Sequence, residues 1–392
     1  MPLPLYWLAL GAFCIGTETF MIAPLLPAIS AELGVTVAAA GQLVTVFAIT
    51  YAFAAPILAT LLGHRDRKAL LVGALVAFAA ANVVAAAAAN FLQLLAGQFL
   101  LALAASVFMP GANATAATIV APESRGRAIA VVIGGLTVAM AFGVPIGSLI
   151  GSVFSWRAAF AIVAGVSAIS VIGLLFGLSR SAPGPVPTLA QRVAVARRPA
   201  VLLALLTTAV WATGVFAFYT FVAPFLSGPA AIDSSYLPLV LLAFGVAGWI
   251  GNQAGGRMTD RRGPERTLRL SLLVLACTYV VNGIVGGLGG SPLAGVAVVA
   301  AFLVGGMAGW AFHPSQTSRL VHLAPDAPMV ALSLNQSALY LGNAAGAALG
   351  AVAVAHGGLA QLGWFSAACQ IAALAILFAG GAVARRHATA AF

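Results

Sequence analysis

Charge is the scarcest property of this chain. Asp, Glu, Lys and Arg make up 7% of its 392 residues, where a soluble domain carries about 25%. Hydrophobic residues make up 62%, and the mean hydropathy is +1.07. No soluble fold of this length hides so much apolar surface, so the chain reads as an all-α, polytopic integral membrane protein. Cysteine is nearly absent: Cys14, Cys277 and Cys369 lie far apart in apolar runs, with no CxxC pair and no His/Cys cluster. Free thiols and no bound metal are expected. There is no HExxH, no GxSxG, no GxxxxGK[ST] and no pair of catalytic acids, so nothing points to a membrane enzyme. No sizeable soluble domain separates the apolar segments, which speaks against a receptor or scaffold. The first segment lacks a basic leader and holds Glu18, so it is expected to stay as a span rather than to be cleaved as a signal peptide.

What is present is a series of apolar runs long enough to cross a bilayer, which takes roughly 20 residues. Breaks at charges, Gly and Pro give twelve spans, at 5–28, 40–62, 69–89, 92–120, 127–151, 158–178, 200–226, 237–256, 268–288, 293–317, 329–354 and 360–383. With the N-terminus in the cytoplasm, 17 of the 18 basic residues fall on the cytoplasmic side and only Arg157, bordering span 6, falls outside. That sorting is the positive-inside pattern and puts both termini in the cytoplasm. The net charge of +10 therefore reflects topology, with anionic inner-leaflet lipid as its counter-charge and no need of nucleic acid.

The longest polar stretch, SRSAPGPVPTLAQRVAVARRP at 179–199, is Pro-rich and then basic. It reads as a cytoplasmic linker, with a short surface helix near 188–198, between a six-helix bundle at 1–178 and a second at 200–392. Two echoes support a duplication. Pro110 precedes an Ala-Pro-Glu loop at Ala121, Pro122 and Glu123, and Pro314 precedes Ala-Pro-Asp at Ala324, Pro325 and Asp326. Each loop leads to a glycine ladder at four-residue spacing, Gly143, Gly147 and Gly151 in span 5 and Gly342, Gly346 and Gly350 in span 11. Such ladders put small residues on one helix face and let a neighbour come close. A six-plus-six plan of this kind carries its substrate near the midplane and works by alternating access.

Several stretches carry a family signature. After span 8, Gly256, Asp260, Arg261 and Gly263 are spaced as G-x-x-x-D-R-x-G. Span 5 holds Gly143, Pro145 and Gly147 as G-x-P-x-G, and span 1 ends in Pro24-x-x-Pro27. WAFHPSQ in span 10 and SLNQSALYLGN in span 11 complete the set. With these the chain resembles the major facilitator superfamily over essentially its whole length. It looks most like the twelve-span drug:proton antiporter branch, near arabinose-efflux and purine-efflux exporters. The resemblance implies a conformational latch at the loop after span 8, and export by antiport from the span 5 element, although a simple packing kink at Pro145 would give the same pattern. It also implies a bacterial inner membrane, no cofactor beyond the proton gradient, protons and a small molecule as what is moved, and a monomer. The loop after span 2 departs from the pattern: Gly63 stands in the Asp slot, Asp66 is a candidate stand-in, and Arg67 and Lys68 keep the distal basic pair. Span 4 departs as well, with Gln98 where the family has Arg.

Glu18 is about 13 residues into span 1, roughly 20 Å from its start and near the bilayer middle. An ionised acid facing lipid there costs several kcal/mol, so Glu18 must face a cavity or carry a proton. It is the one acid placed inside a span, and it is either the proton site of an antiporter or a permanently protonated hydrogen-bonder. His313, just before Pro314, is a second proton-relay candidate, or a cavity hydrogen-bonder. Polar and aromatic residues in apolar spans are the candidates for contacting substrate. In the first half they are Gln42, Thr45 and Tyr51 of span 2, with Gln98 and Asn113 of span 4. In the second half they are Trp211, Phe218 and Tyr219 of span 7, Trp310 of span 10, and Asn335, Gln336, Tyr340 and Asn343 of span 11. Asn335 and Gln336 point about 100° apart on a helix, so at most one faces the cavity centre. The set suits a flat neutral solute such as a purine or nucleoside, and equally an amphipathic drug. An importer or facilitator on the same fold is the alternative. The topology has a direct check. Alkaline phosphatase, active only outside the cytoplasm, is expected to be inactive when fused after Arg386 and active when fused after Gly358; the opposite pattern would invert the assignment.

Overall fold

In hydrocarbon no water can pair with a backbone amide, so each apolar run must close its hydrogen bonds within itself, as a helix. The computed structural model describes residues 1–121, 124–179, 188–288 and 292–389, and its regular elements there are all helices. Twelve helices are long and apolar enough to span a membrane. They are α1 Leu3–Leu33, α2 Val37–Leu62, α3 Arg67–Ala86, α4 Phe91–Thr118, α5 Arg125–Val153 and α6 Trp156–Gly177, then α7 Pro199–Thr220, α8 Ser234–Arg262, α9 Pro264–Leu288, α10 Leu293–Leu323, α11 Pro328–Gly357 and α12 Gln361–Gly381. Pro122 and Glu123 of the first Ala-Pro-Glu loop, Arg180 and the proline-rich part of the linker to Pro187, and residues 289–291 between α9 and α10 lie outside the described residues. The chain divides into two compact units, Met1–Val186 with Leu237–Leu242, and Pro187–Tyr236 with Ala243–Phe392.

Local chemistry sets most boundaries. Asn90 caps α4 by accepting from the Gln93 amide at 2.9 Å, and Ser155 accepts from the Arg157 amide ahead of α6 at 3.1 Å. A linker helix, Leu189–Ala196, starts in a Thr188/Gln191 capping box. Several expected boundaries shift: span 1 runs on to Leu33 rather than 28 and span 10 to Leu323 rather than 317, and three other shifts have a local cause. Span 7 stops at Thr220, and Val222–Ser227 forms a separate short helix, because Pro224 lacks an amide and its ring would meet the Thr220 carbonyl. Span 8 does not end at Gly256: α8 runs on through Asp260 and Arg261 to Arg262. Arg261 and Arg262 suit a helix C-terminus, as Glu265 suits the first turn of α9. The expected loop shrinks to Gly263, whose φ of 81° only glycine adopts cheaply. The third shift is the start of α9, at Pro264 rather than 268.

Each glycine ladder faces one partner. In the first unit, a Cβ on Gly143 would strike Thr17, one on Gly147 Met21 and one on Gly151 Leu25, so α5 lies along α1. In the second unit, Gly342, Gly346 and Gly350 lie against the backbone of Ala209, Thr213 and Ala217, so α11 lies along α7. The irregularity expected at Pro145 sits one turn earlier. Ala139–Gly143 is a π turn in which the Val144 amide donates to the Ala139 carbonyl, five residues back. The widened turn makes room where the proline ring would crowd a regular helix.

Polar clamps finish the ends. Glu32, at the end of α1, accepts from Trp156 Nε1 at 2.6 Å and pairs with Arg157. Arg157 also donates to the Ala88 carbonyl at 2.8 Å and lies 4.1 Å over the Trp156 ring. The one basic residue expected on the far side thus ties α1, the end of α3 and α6. In the second unit, Arg198 at the head of α7 holds Asp326, before α11, with two bonds of 2.6 Å. Arg192 of the linker helix reaches Ser333 of α11 at 2.9 Å. Arg319, expected at a loop end, is instead buried in α10 with 4% exposure, and its Nε and Nη1 meet no acceptor among the described residues.

Two outcomes follow from this packing. Gly346→Ala would place a carbon within 2.9 Å of the Ala217 amide and is expected to cost ~1–3 kcal/mol. Gly73→Ala, with nothing within 4 Å, should leave the thermal midpoint unchanged or raise it, since alanine is the better helix former. Equal midpoints for the two variants in a detergent melt would refute the close approach. At the Arg198 pair, the hydrogen-bonded guanidinium holds the exposed Asp326 carboxyl down at about 2. Since the unfolded value is near ~3.9, this contribution is complete above that pH and is lost as pH falls towards 2. Asp326→Asn should abolish that acid-side slope in pH-dependent melts.

Candidate functional site

The first unit brings together two residues that the sequence offered separately. Glu18 of α1 and Gln98 of α4 both have 0% exposure, and Gln98 Nε2 donates to Glu18 Oε1 at 3.0 Å. Glu18 Oε2 and Gln98 Oε1 have no hydrogen-bond partner among the described residues. The carboxyl therefore has a neutral amide beside it, where the family pattern has a cation. The sequence reading treated Gln98 as a missing Arg and as a candidate substrate contact, not as a partner of Glu18. A count of depth along two antiparallel helices, at about 1.5 Å per residue, was the available signal for pairing them.

The span 5 element reaches the same place. Gly143 packs on Thr17, the residue before Glu18, and Thr17 Oγ1 has no hydrogen-bond partner among the described residues. The π turn that ends at Gly143 thus abuts the turn of α1 that carries the acid. The remaining first-half candidates stand apart. Tyr51 is buried with its ring stacked at 6.4 Å on Phe47. Gln42, Thr45 and Asn113 are half-buried, and Thr45 Oγ1 and Asn113 Oδ1 have no described partner. None of the four is hydrogen-bonded to Glu18.

The second unit holds an aromatic nest and an amide network. Trp211 of α7 stacks on Phe312 of α10 with centroids 4.2 Å apart and planes 2° apart. His313 sets its edge to Trp211 at 5.2 Å and lies 5.3 Å from Trp310; its neighbours are rings, with no acid among them. Trp310 in turn packs on Gly248 of α8. Deeper in the helices, Gln316 Nε2 donates to the Ala204 carbonyl at 2.7 Å and to Thr208 Oγ1 at 2.9 Å, and Thr208 donates to Asn335 Oδ1 at 2.7 Å. Asn335 is buried in this network while Gln336 is exposed. Phe312 and Thr208 were not singled out from the sequence, since an apolar ring and a threonine in a span carry no local signal.

The other candidates are placed as follows. Phe218, 1% exposed, is enclosed by Phe225, Tyr279 and Phe302 at 4.8, 5.4 and 6.3 Å. Tyr219 lies 5.9 Å from Phe244. Asn343 is buried with Oδ1 unpartnered among the described residues, and Tyr340 is half-buried. In the segments expected to form a latch, Asp66 is the N-cap of α3 and accepts from the Ala69 amide at 2.8 Å. Arg67 reaches the end of α4, donating to the Ala114 carbonyl at 3.2 Å and Thr118 Oγ1 at 3.1 Å; Lys68 is half-buried. Asp260 and Arg261 are exposed on the last turn of α8, and Gly256 has open space where a Cβ would stand.

Comparison with known proteins agrees with this architecture. The family model for the Major Facilitator Superfamily matches residues 8–347. A chloramphenicol resistance protein of Streptomyces lividans is 36% identical over 384 residues, covering 96% of each chain. The inner membrane transport protein YdhP of Escherichia coli (strain K12) is 34% identical over 358 residues, covering 90% of this chain and 89% of the relative. Among solved structures, an inward-facing bacterial homologue of the human lysosomal transporter Spinster superposes with a TM-score of 0.75 at 17% identity, covering 96% of each chain. Twelve membrane-length helices, matched glycine ladders and these relatives lead to one conclusion: the chain belongs to the Major Facilitator Superfamily and is a multi-pass membrane transporter.

Proposed function

We propose that the chain is a proton-coupled exporter of small neutral or amphipathic molecules, of the drug:proton antiporter type, in a bacterial inner membrane. One observation carries the reading: a carboxyl with 0% exposure in α1 has a neutral amide as its hydrogen-bond partner and no cation. A buried carboxylate without a counter-charge is costly by several kcal/mol, so the closed site favours the neutral acid. Opening to water lets the proton leave. If substrate and proton disfavour each other's binding, the coupling is reciprocal and inward proton flow drives outward substrate flow. Glu18 is the proton site in this reading, with His313 a secondary candidate. The contact of Gly143 with Thr17 gives the span 5 element a route to the same turn.

The substrate class is read from the concentration of rings and amides in the second half, Trp211 and Phe312 being buried against each other and Asn335 engaged by Thr208 in this structure. They suit purine bases, nucleosides or planar drugs, and the name of the Streptomyces relative makes chloramphenicol the first drug to try. The basic segments after α2 and at the end of α8, with Asp66, Arg67, Asp260 and Arg261, are read as the latch between conformations. The test uses purified protein in liposomes with a trapped pH dye and a panel of purine bases, nucleosides, chloramphenicol and other amphipathic drugs. One class is expected to trigger proton flux in wild type, and Glu18→Gln should reduce that flux to the protein-free background. Substrate movement without proton flux in either protein would make this a facilitator and overturn the antiport reading.

A further inference from the structure

Gln98 stands where the resemblance predicts a fixed cation, and its contact with Glu18 has a property that an arginine lacks. A guanidinium only donates hydrogen bonds. A primary amide has a donor end and an acceptor end of nearly equal size, exchanged by rotating its terminal group through 180°. As drawn, Gln98 Nε2 donates to Glu18 Oε1 at 3.0 Å, which serves a carboxylate. Rotated, the Gln98 carbonyl occupies the same place and accepts from a carboxylic acid O–H on Oε1. The contact is kept and its direction reversed. Both side chains have 0% exposure, so either one left without a partner would bear the full cost of a buried polar group.

We propose that Gln98 is a positioning residue that partners Glu18 in both protonation states, so that proton uptake and release proceed without breaking the α1–α4 contact and without a permanent charge in the first-half core. The proposal rests on the reading of Glu18 as the proton site. The surroundings leave this role to Gln98. On α1 itself the other titratable groups are Tyr6, Cys14 and Glu32, and Glu32 is engaged by Arg157 at the far end. Of the helices packed against α1, α2 carries Tyr51 and α4 carries no charged or titratable side chain; α5 carries Arg125 and Arg127 in its first turn, and α6 carries Arg157 in its first turn. No charged group on these elements other than Glu18 itself stands at mid-helix, and Gln98 is the side chain hydrogen-bonded to Glu18, so its amide is the group placed to answer a change of charge there.

Infrared difference spectroscopy of the full-length protein in lipid nanodiscs, titrated with pH and without substrate, tests this. The wild type should show a carboxylic-acid C=O band that titrates and is absent in Glu18→Gln. In protein carrying isotope-labelled glutamine, the side-chain amide band that Gln98→Leu removes should shift at the same pH, as the amide passes from donor to acceptor. Removing the amide donor in Gln98→Leu should move the half-titration upward by about one pH unit or more. Gln98→Arg should suppress the acid band across the range. A Glu18 band that titrates with the Gln98 amide band unmoved, or with the same midpoint in all three proteins, overturns the role of Gln98 and leaves Glu18 as a proton site. Absence of any band sensitive to Glu18→Gln, at every pH, overturns the proton-site reading and this proposal with it. If Gln98→Leu does not fold, Gln98→Asn, which removes the labelled group and keeps an amide, assigns the same band.

Discussion

Helices in a bilayer gain little by hiding apolar side chains from one another, because lipid tails are as apolar as leucine. Close backbone approach is what the architecture depends on. In the first unit Gly143, Gly147 and Gly151 let α5 lie on α1, and in the second Gly342, Gly346 and Gly350 let α11 lie on α7. The two seams are equivalent in the duplicated plan, and each runs past the residues of greatest chemical interest. In the first, Thr17 fills the space that Gly143 leaves, next to Glu18. In the second, α7 carries both Thr208 and Trp211 on the helix that the ladder grips.

Much of this was legible in the sequence, for physical reasons that can be assigned. The twelve spans were legible because the bilayer demands length and apolarity. The ladders were legible as a spacing, and the helices they grip emerged only in three dimensions. The run of basic residues after Gly256 was misread as loop. Arginines at the end of a helix are compatible with helix continuation, and only Gly263 forces a stop. Proline signals were displaced as well: Pro145 marks a π turn a few residues ahead of it, and Pro224 breaks α7 at the residue its ring would strike. Each is a through-space effect acting one turn away from the residue that causes it.

The candidate site was half legible. An acid in an apolar span is conspicuous, and Glu18 could be singled out from position alone. Its partner could not, since a glutamine in α4 has no feature that points to a carboxyl some 80 positions earlier. Taken against the family pattern, Gln98 was a loss; seen beside Glu18, it is a substitution of a two-way partner for a one-way one. The aromatic nest shows the same limit. Trp211 and His313 were visible as unusual residues, whereas Phe312, which completes the stack, looked like any apolar side chain.

The single-residue connection at Gly263 has a mechanical meaning. With α8 running to Arg262 and α9 beginning at Pro264, there is no slack chain to absorb a change in the angle of either helix. A tilt of one is handed to the other, with the glycine's own two torsions as the joint. The two rods form an elbow, and the freedom of that elbow sets how far a movement started in α8 can go before α9 has to follow.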